Sequence, residues 1–184
     1  VIPSGPYTIV DLYHAGGALA VMKMLEGRIF GDVPTMTGET WGELLARIPE
    51  VKSTNLIRSL DNPLYDLPGL QILRGNLAPN GAIIRPTGVP KEMRVFRGKA
   101  KCFDNDTKAY NAIMAGEIVP GDVIVMRYEG CKGAPGMKEL MLSNDALVAK
   151  GLHKSVGLVT DARFSGFSHG ALVGHVDPEA YDGG

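Results

Sequence analysis

Leu158-Val159-Thr160-Asp161-Ala162-Arg163-Phe164-Ser165-Gly166-Phe167-Ser168-His169-Gly170 is the stretch that decides the fold. The short apolar run from Ser155 to Val159 predicts a buried strand. It breaks abruptly into Asp161, Arg163, Ser165, Gly166, Ser168, His169 and Gly170. Polar groups crowded at the end of a buried strand, with glycines that let the backbone approach a ligand, are how α/β proteins build sites. The same residues also suit a solvated loop in which Ser165 and Ser168 only cap a turn. On this segment alone both readings stay open.

Upstream, Arg127-Tyr128-Glu129-Gly130-Cys131-Lys132-Gly133-Ala134-Pro135-Gly136-Met137-Lys138-Glu139 reads as a strand end, a glycine-rich loop and a helix start. Free backbone N–H groups and a helix dipole favour an anion such as a carboxylate or phosphate. The loop lacks the G-x-x-x-x-G-K-[ST] spacing of a P-loop. Glu139 is expected in the first helical turn, where it either presents a carboxylate to a divalent cation or merely complements the dipole.

Further outward, the first 57 residues read as helical and the remainder as alternating strands and helices. Leu19, Met22 and Leu25 recur at helical spacing over Ala18 to Glu26, with Gly27 as the stop. Thr40 and Glu43 form a capping-box pattern ahead of Leu44, Leu45 and Ile48, and Pro49 closes that helix. Residues 58–69, with Asp61-Asn62-Pro63 and Pro68-Gly69, read as a linker. Strands are expected at Leu70–Leu73, Ala82–Arg85, Arg94–Phe96 and Val123–Tyr128. Helices are expected at Asp106–Ala115, with an acidic cap and a stop at Gly116, and at Lys138–Lys150.

The 184-residue chain carries a net charge of −1 with interspersed signs, so no basic face argues for nucleic acid. No apolar run approaches the ~20 residues needed to span a bilayer. Val1 to Pro6 lacks a basic, then apolar, leader pattern, so no signal peptide is expected. Cys102 and Cys131 are isolated thiols without metal spacing, which suits a reducing cytoplasm. The 24 glycines and 12 prolines form neither a low-complexity tract nor a repeat.

Several runs together resemble a known family. Leu73-Arg74-Gly75-Asn76-Leu77-Ala78-Pro79-Asn80-Gly81-Ala82 is similar to its N-L-A-P-[DN]-G-A signature. Ala115 to Asp122, the Tyr128-to-Glu139 loop, Asp161 to Gly166, and Gly174-His175-Val176-Asp177-Pro178-Glu179-Ala180 each match a motif of the same family, in order. Thr35 to Glu43, with Thr37-Gly38, matches the end of its larger N-terminal domain. The family is the dihydroxy-acid dehydratase/phosphogluconate dehydratase superfamily, which also contains sugar-acid dehydratases.

The resemblance implies an α/β chain. Residues 1–57 would end an N-terminal iron–sulfur cluster domain, and 70–184 would form a swivelling β/β/α domain truncated at its end. Family members are several times longer, and their cluster cysteines precede the position of Val1. Cys102 and Cys131 match no cluster ligand, and proline is usual where Cys131 stands. The chain as written is therefore expected to be inactive alone.

The chemistry implied is loss of water from a 2,3-dihydroxy carboxylate to give a 2-keto acid, with branched-chain amino-acid synthesis the favoured pathway. A cluster iron acts as Lewis acid on the departing C3 hydroxyl, and Mg²⁺ polarises the carboxylate and C2 hydroxyl. By resemblance Ser165 is the base that takes the C2 proton, working as an alkoxide beside cationic charge. Glu139 is the Mg²⁺ ligand supplied by this half. Gly133, Gly136, Met137, Arg163, Gly166 and Ser168 are the implied substrate contacts. A cytoplasmic homodimer or dimer of dimers acting on a small dihydroxy acid is expected, with no nucleic-acid or membrane partner.

An aldonate or 6-phosphogluconate dehydratase is the first alternative. A non-catalytic swivelling binding domain is the alternative of another class. Intact Glu139 and Ser165 argue against the latter, and cluster cysteines upstream of Val1 would discriminate. Among the remaining groups, Arg163 is expected to pair with Asp161, and Lys132 either faces an acidic substrate or is a solvated lysine. His169 is a substrate-edge candidate, and His175, His14 and His153 read as structural. Trp41 and the methionines at 22, 24, 137 and 141 read as packing.

Overall fold

A computed structural model describes residues 1–2 and 5–183. Pro3 and Ser4, within the expected leader-free stretch, and Gly184, at the end of the expected C-terminal domain, lie outside the described residues. The chain divides into two compact units, Val1–Asp66 and Leu67–Gly184.

The first unit holds three short helices: α1 (Ile9–His14), α2 (Gly17–Met24) and α3 (Trp41–Ala46). The Thr40–Glu43 capping box is present in both directions, as its spacing predicts. A second box, Thr8 with Asp11, opens α1. Instead of stopping at a left-handed Gly27, α2 yields to a 3₁₀ turn over Glu26–Arg28. Among the described residues only Ala20, Leu45 and Ile57 are buried apolar residues here, while Ile9, Tyr13 and Phe30 stay exposed. So thin a core cannot offset the entropy of ordering this unit by itself.

The second unit is built on one mixed sheet of six strands, ordered β1-β2-β6-β5-β4-β3. The strands are β1 (Gln71–Leu73), β2 (Gly81–Ile84), β3 (Lys99–Phe103), β4 (Asp122–Met126), β5 (Gly157–Thr160) and β6 (Ala171–Asp177). β3, β4, β5 and β6 run parallel, whereas β1 and β2 join antiparallel at the β6 side. The crossovers β3-to-β4 and β4-to-β5 carry α4 (Asp106–Met114) and α5 (Leu142–Ala149), which pack on each other.

Alternation along the central strands sorts the core. Ile124, Met126 and Leu158 join Ala109, Ile113, Ala146 and Leu147 of the helices in the main core. The intervening Val159 and Val173 belong to a second, thinner cluster with Ala78, Ala82 and Val176. Helix α4 is stopped by Gly116 at φ 78°, as expected.

Three further elements differ from expectation. Residues 94–96 form no strand: the chain makes a 3₁₀ turn at Lys91–Met93, Val95 is exposed, and the edge strand comes later at Lys99–Phe103. Its lysines at 99 and 101 hid it, because an edge strand has no need of two apolar faces. The cap of α4 is Asn105, whose side chain accepts from the Lys108 N–H, and not an acidic residue. The last helix begins at Leu142 rather than Lys138, because Glu139 forms a parallel β-bridge with Arg163 and Leu140 N–H donates to the Arg163 carbonyl.

Asp122, at the head of β4, accepts from Lys101 Nζ at 2.8 Å and from the Val119 N–H at 2.9 Å. The Lys101 hydrogen bond, followed by the Val119 N–H, holds its carboxyl below the ordinary aspartate value. Its stabilisation is complete above the unfolded value of about 3.9 and is lost as pH falls through the lowered folded value. Asp122→Asn is expected to flatten the acid limb of stability against pH, measured by urea unfolding from neutral pH downward. An acid limb as steep as wild type contradicts this role.

Candidate active site

Two loops leave the C-terminal ends of neighbouring parallel strands: 127–141 after β4 and 161–170 after β5. In open α/β sheets this edge is where ligands bind. A network of buried carboxylates joins the two loops. Asp161, at the end of β5, accepts the N–H groups of Tyr128 (3.1 Å), Glu129 (3.1 Å) and Ala180 (3.2 Å). Tyr128 takes a left-handed φ of 61° to bring its amide there.

Glu129 is itself buried and accepts from the Asp106 N–H at 2.7 Å, with Lys138 Nζ at 3.4 Å. Asp106, also buried, accepts from Leu142 N–H (3.2 Å), Ser143 N–H (3.0 Å) and the Ser143 hydroxyl. These bonds fix both ends of the segment that carries Glu139.

The result is that the two sequence-predicted functional loops meet. Glu139 and Arg163 are bridge partners, and Ser165 lies two residues beyond Arg163. The Glu139 side chain is exposed and makes no hydrogen bond or ion pair among the described residues. Ser165 is half-buried, and its Oγ accepts the Phe167 N–H at 3.1 Å. Ser168 is buried, and its N–H donates to the Ser165 carbonyl at 3.3 Å. Both serines edge a cleft of about 240 Å³ whose apolar lining includes Leu70, Ile83, Phe164 and Leu172. Gly166 lines the same cleft, whereas Arg163 does not.

The glycine-rich loop departs from the expected anion cradle. The Glu179 carboxylate of the chain itself accepts from the N–H groups of Lys132 (2.9 Å) and Gly133 (3.4 Å). A Cβ at Gly133 would stand 2.7 Å from the Tyr128 Cα, and one at Gly130 would stand 2.5 Å from the Glu179 carboxyl. These glycines therefore permit close packing. Gly136 and Met137 take positive φ values, 95° and 40°, in the turn that leads to Glu139.

The expected Arg163–Asp161 ion pair does not form. Asp161 accepts from three backbone amides instead, and the Arg163 side chain is exposed. Lys132 Nζ donates to the Asp182 carboxylate at 2.5 Å, which holds the ammonium's pKa above its ordinary value. His169 keeps its exposed side chain while its backbone is held by the Asn144 side chain.

The sequence reading missed Arg85. From the end of β2 its guanidinium donates to the carbonyls of Gly166 (2.7 Å) and Ser168 (3.1 Å). The only signal was an arginine closing an otherwise apolar strand. Asp106, Glu129 and Glu179 were missed as well, since their partners lie far away in sequence.

The chain matches the family model described as dihydroxy-acid/6-phosphogluconate dehydratase C-terminal over residues 55–184. It is 49% identical over 185 residues to a dihydroxy-acid dehydratase of Leptothrix cholodnii and 50% identical over 186 residues to one of Nostoc sp.. A dihydroxy-acid dehydratase of Methylococcus capsulatus is 50% identical over 185 residues. Each alignment covers 99% of this chain and 33% of the relative, so the chain spans about a third of the length of those proteins.

Asp161→Asn is expected to place an amide N–H₂ against backbone N–H groups. It should lower the stability of the chain by about 3 kcal/mol in urea unfolding, as breaking charge-assisted buried bonds does. A loss below about 0.5 kcal/mol, typical of a surface change, contradicts the role of this carboxylate.

Proposed function

The chain belongs to the dihydroxy-acid/6-phosphogluconate dehydratase family, through that family's C-terminal domain, and from this we propose that it serves a hydro-lyase converting 2,3-dihydroxy carboxylic acids into 2-keto acids. Branched-chain amino-acid synthesis is the pathway we favour. The observation that carries the reading is the meeting of the Glu139 and Ser165 loops: a carboxylate unpaired among the described residues and a serine hydroxyl at one end of the sheet, with the serine bordering an apolar cleft.

A divalent cation and an iron–sulfur cluster belong to the chemistry we propose, and the residues present fit them unequally. Glu139 fits a hard cation such as Mg²⁺, being an exposed carboxylate with no internal partner. It supplies one ligand only, since no group of three or more His, Cys, Asp or Glu suited to a metal occurs among the described residues. Bound there, Mg²⁺ would polarise the substrate carboxylate and C2 hydroxyl. Cys102 on β3 and Cys131 in the loop are separate free thiols and do not fit a cluster. In this reading cluster ligands come from outside this chain.

The role assigned to Ser165 is to accept the C2 proton at Oγ. The Phe167 N–H already points at that oxygen and favours its deprotonated form. Loss of the C3 hydroxyl with that proton removes one water, and the resulting enol tautomerises to the 2-keto acid. Arg163, Gly166 and Ser168 are retained as substrate contacts, with Gly133, Gly136 and Met137 shaping the loop that presents Glu139. Lining the cleft with apolar groups supports a substrate carrying an alkyl chain over a polyol.

In this proposal residues 1–57 end an N-terminal cluster domain, 58–69 form a linker and 70–184 form a swivelling domain. The working enzyme is then a cytoplasmic homodimer or dimer of dimers. Among the described residues no helix is long and apolar enough to cross a membrane.

The test uses the full-length protein. Ser165→Ala should cut turnover by about 10²–10⁴-fold and stop exchange of the substrate C2 proton with solvent deuterium, leaving substrate binding near normal. Ser168→Ala should cost far less. Glu139→Gln should weaken Mg²⁺ binding, read directly by calorimetry, with activity partly restored at high Mg²⁺. Near-normal turnover in Ser165→Ala, or a dead Ser168→Ala, overturns the assignment of the base.

A further inference from the structure

The Arg85 guanidinium reaches the Ser165 loop across 81 positions of sequence, donating to the Gly166 carbonyl at 2.7 Å and to the Ser168 carbonyl at 3.1 Å. The Gly166 carbonyl and the Phe167 N–H are the two ends of one peptide unit. That N–H donates to Ser165 Oγ at 3.1 Å. The guanidinium, the peptide and the serine oxygen therefore form one chain of aligned donors and acceptors. A cation pulling on the oxygen end of a peptide strengthens the donor at its nitrogen end.

Arg85 forms no salt bridge among the described residues, so its charge is not neutralised by a carboxylate within the cleft. Its place is reserved by Gly88, where a Cβ would stand 2.9 Å from the guanidinium Nη2 and 3.2 Å from Nε. A planar fork is needed to hold two carbonyls at once, which a lysine ammonium on a flexible stem does not reproduce.

We infer that Arg85 is the positioning residue of the base: it fixes the 165–168 turn and, through the Gly166–Phe167 peptide, favours the proton-accepting form of Ser165. The inference rests on Ser165 being the base. The other charged or titratable groups of the cleft lining and of the same loop are His175, Asp161, Arg163 and His169, with Glu139 across the bridge from Arg163. None of them contacts the Gly166–Phe167 peptide among the described hydrogen bonds.

The experiment uses the full-length holoenzyme and three variants: Arg85→Gln, Arg85→Lys and Gly88→Ala. Gly88→Ala keeps the charge but makes the guanidinium give way to the added methyl, which disturbs its fork on the two carbonyls. Arg85→Gln and Gly88→Ala should lower kcat by about 10²-fold with KM close to wild type, the scale expected for a misplaced reacting group. Their kcat–pH profiles should move to higher pH, since a base deprived of its donor chain is harder to deprotonate. Arg85→Lys should recover part of kcat. Exchange of the substrate C2 proton should fall in parallel with kcat.

A merely structural arginine would change thermal stability without moving the pH profile. Wild-type kcat and profile in folded Arg85→Gln and Gly88→Ala overturn the inference, as does a loss confined to KM. Full turnover in Ser165→Ala overturns the base assignment and this inference with it. An inactive Ser165→Ala beside fully active Arg85 variants overturns the inference alone.

Discussion

Asp161 sits at the end of β5 with about 4% of its surface exposed, and among the described residues no cation pairs with it. Removing a carboxylate from water costs several kcal/mol unless its lone pairs are met. Here three backbone N–H groups meet them, contributed by Tyr128 and Glu129 after β4 and by Ala180 after β6. One side chain thereby anchors the exits of three parallel strands. The placement of Glu139 follows from that anchor. Glu129, placed by it, receives the Asp106 N–H, and Asp106 in turn receives the start of α5. The segment between Glu129 and α5 is held at both ends, and Glu139 projects from it.

This arrangement separates two kinds of acidic residue. Asp106, Glu129 and Asp161 are buried and occupied by N–H donors, so they are spent on structure. Glu139 is exposed and makes no hydrogen bond or ion pair among the described residues, as the proposed role of cation ligand requires. The same distinction holds for the serines: Ser165 Oγ accepts an aimed N–H and borders a cleft, whereas Ser143 is consumed by Asp106. In the glycine-rich loop Glu179 takes amides that an external anion would otherwise find, so that loop reads as scaffold for Glu139.

Features resting on local chemistry were legible in the sequence. The Thr40–Glu43 box, the Gly116 stop, the apolar β4 and β5 strands and the crowding of polar groups after β5 each depend on neighbours a few residues apart. What failed to read depends on distant partners. The α5 boundary was misplaced because an interaction with Arg163 overrides helical propensity at Glu139. The edge strand at Lys99–Phe103 lacks the two-faced apolar pattern of the buried strands. Arg85 acts on residues more than eighty positions away, and nothing near it in sequence announces that. Arg163 was assigned to the nearest carboxylate, which backbone amides had already claimed.

The most direct measurement is a crystal structure of the full-length protein with Mg²⁺ and a 2-hydroxy carboxylate analogue of the substrate. The account predicts a Glu139 carboxylate oxygen about 2.0–2.1 Å from the cation. It also predicts Ser165 Oγ about 3–3.5 Å from the C2 position, still receiving the Phe167 N–H. A cation bound without Glu139, or an analogue whose C2 lies out of reach of Ser165, would contradict it.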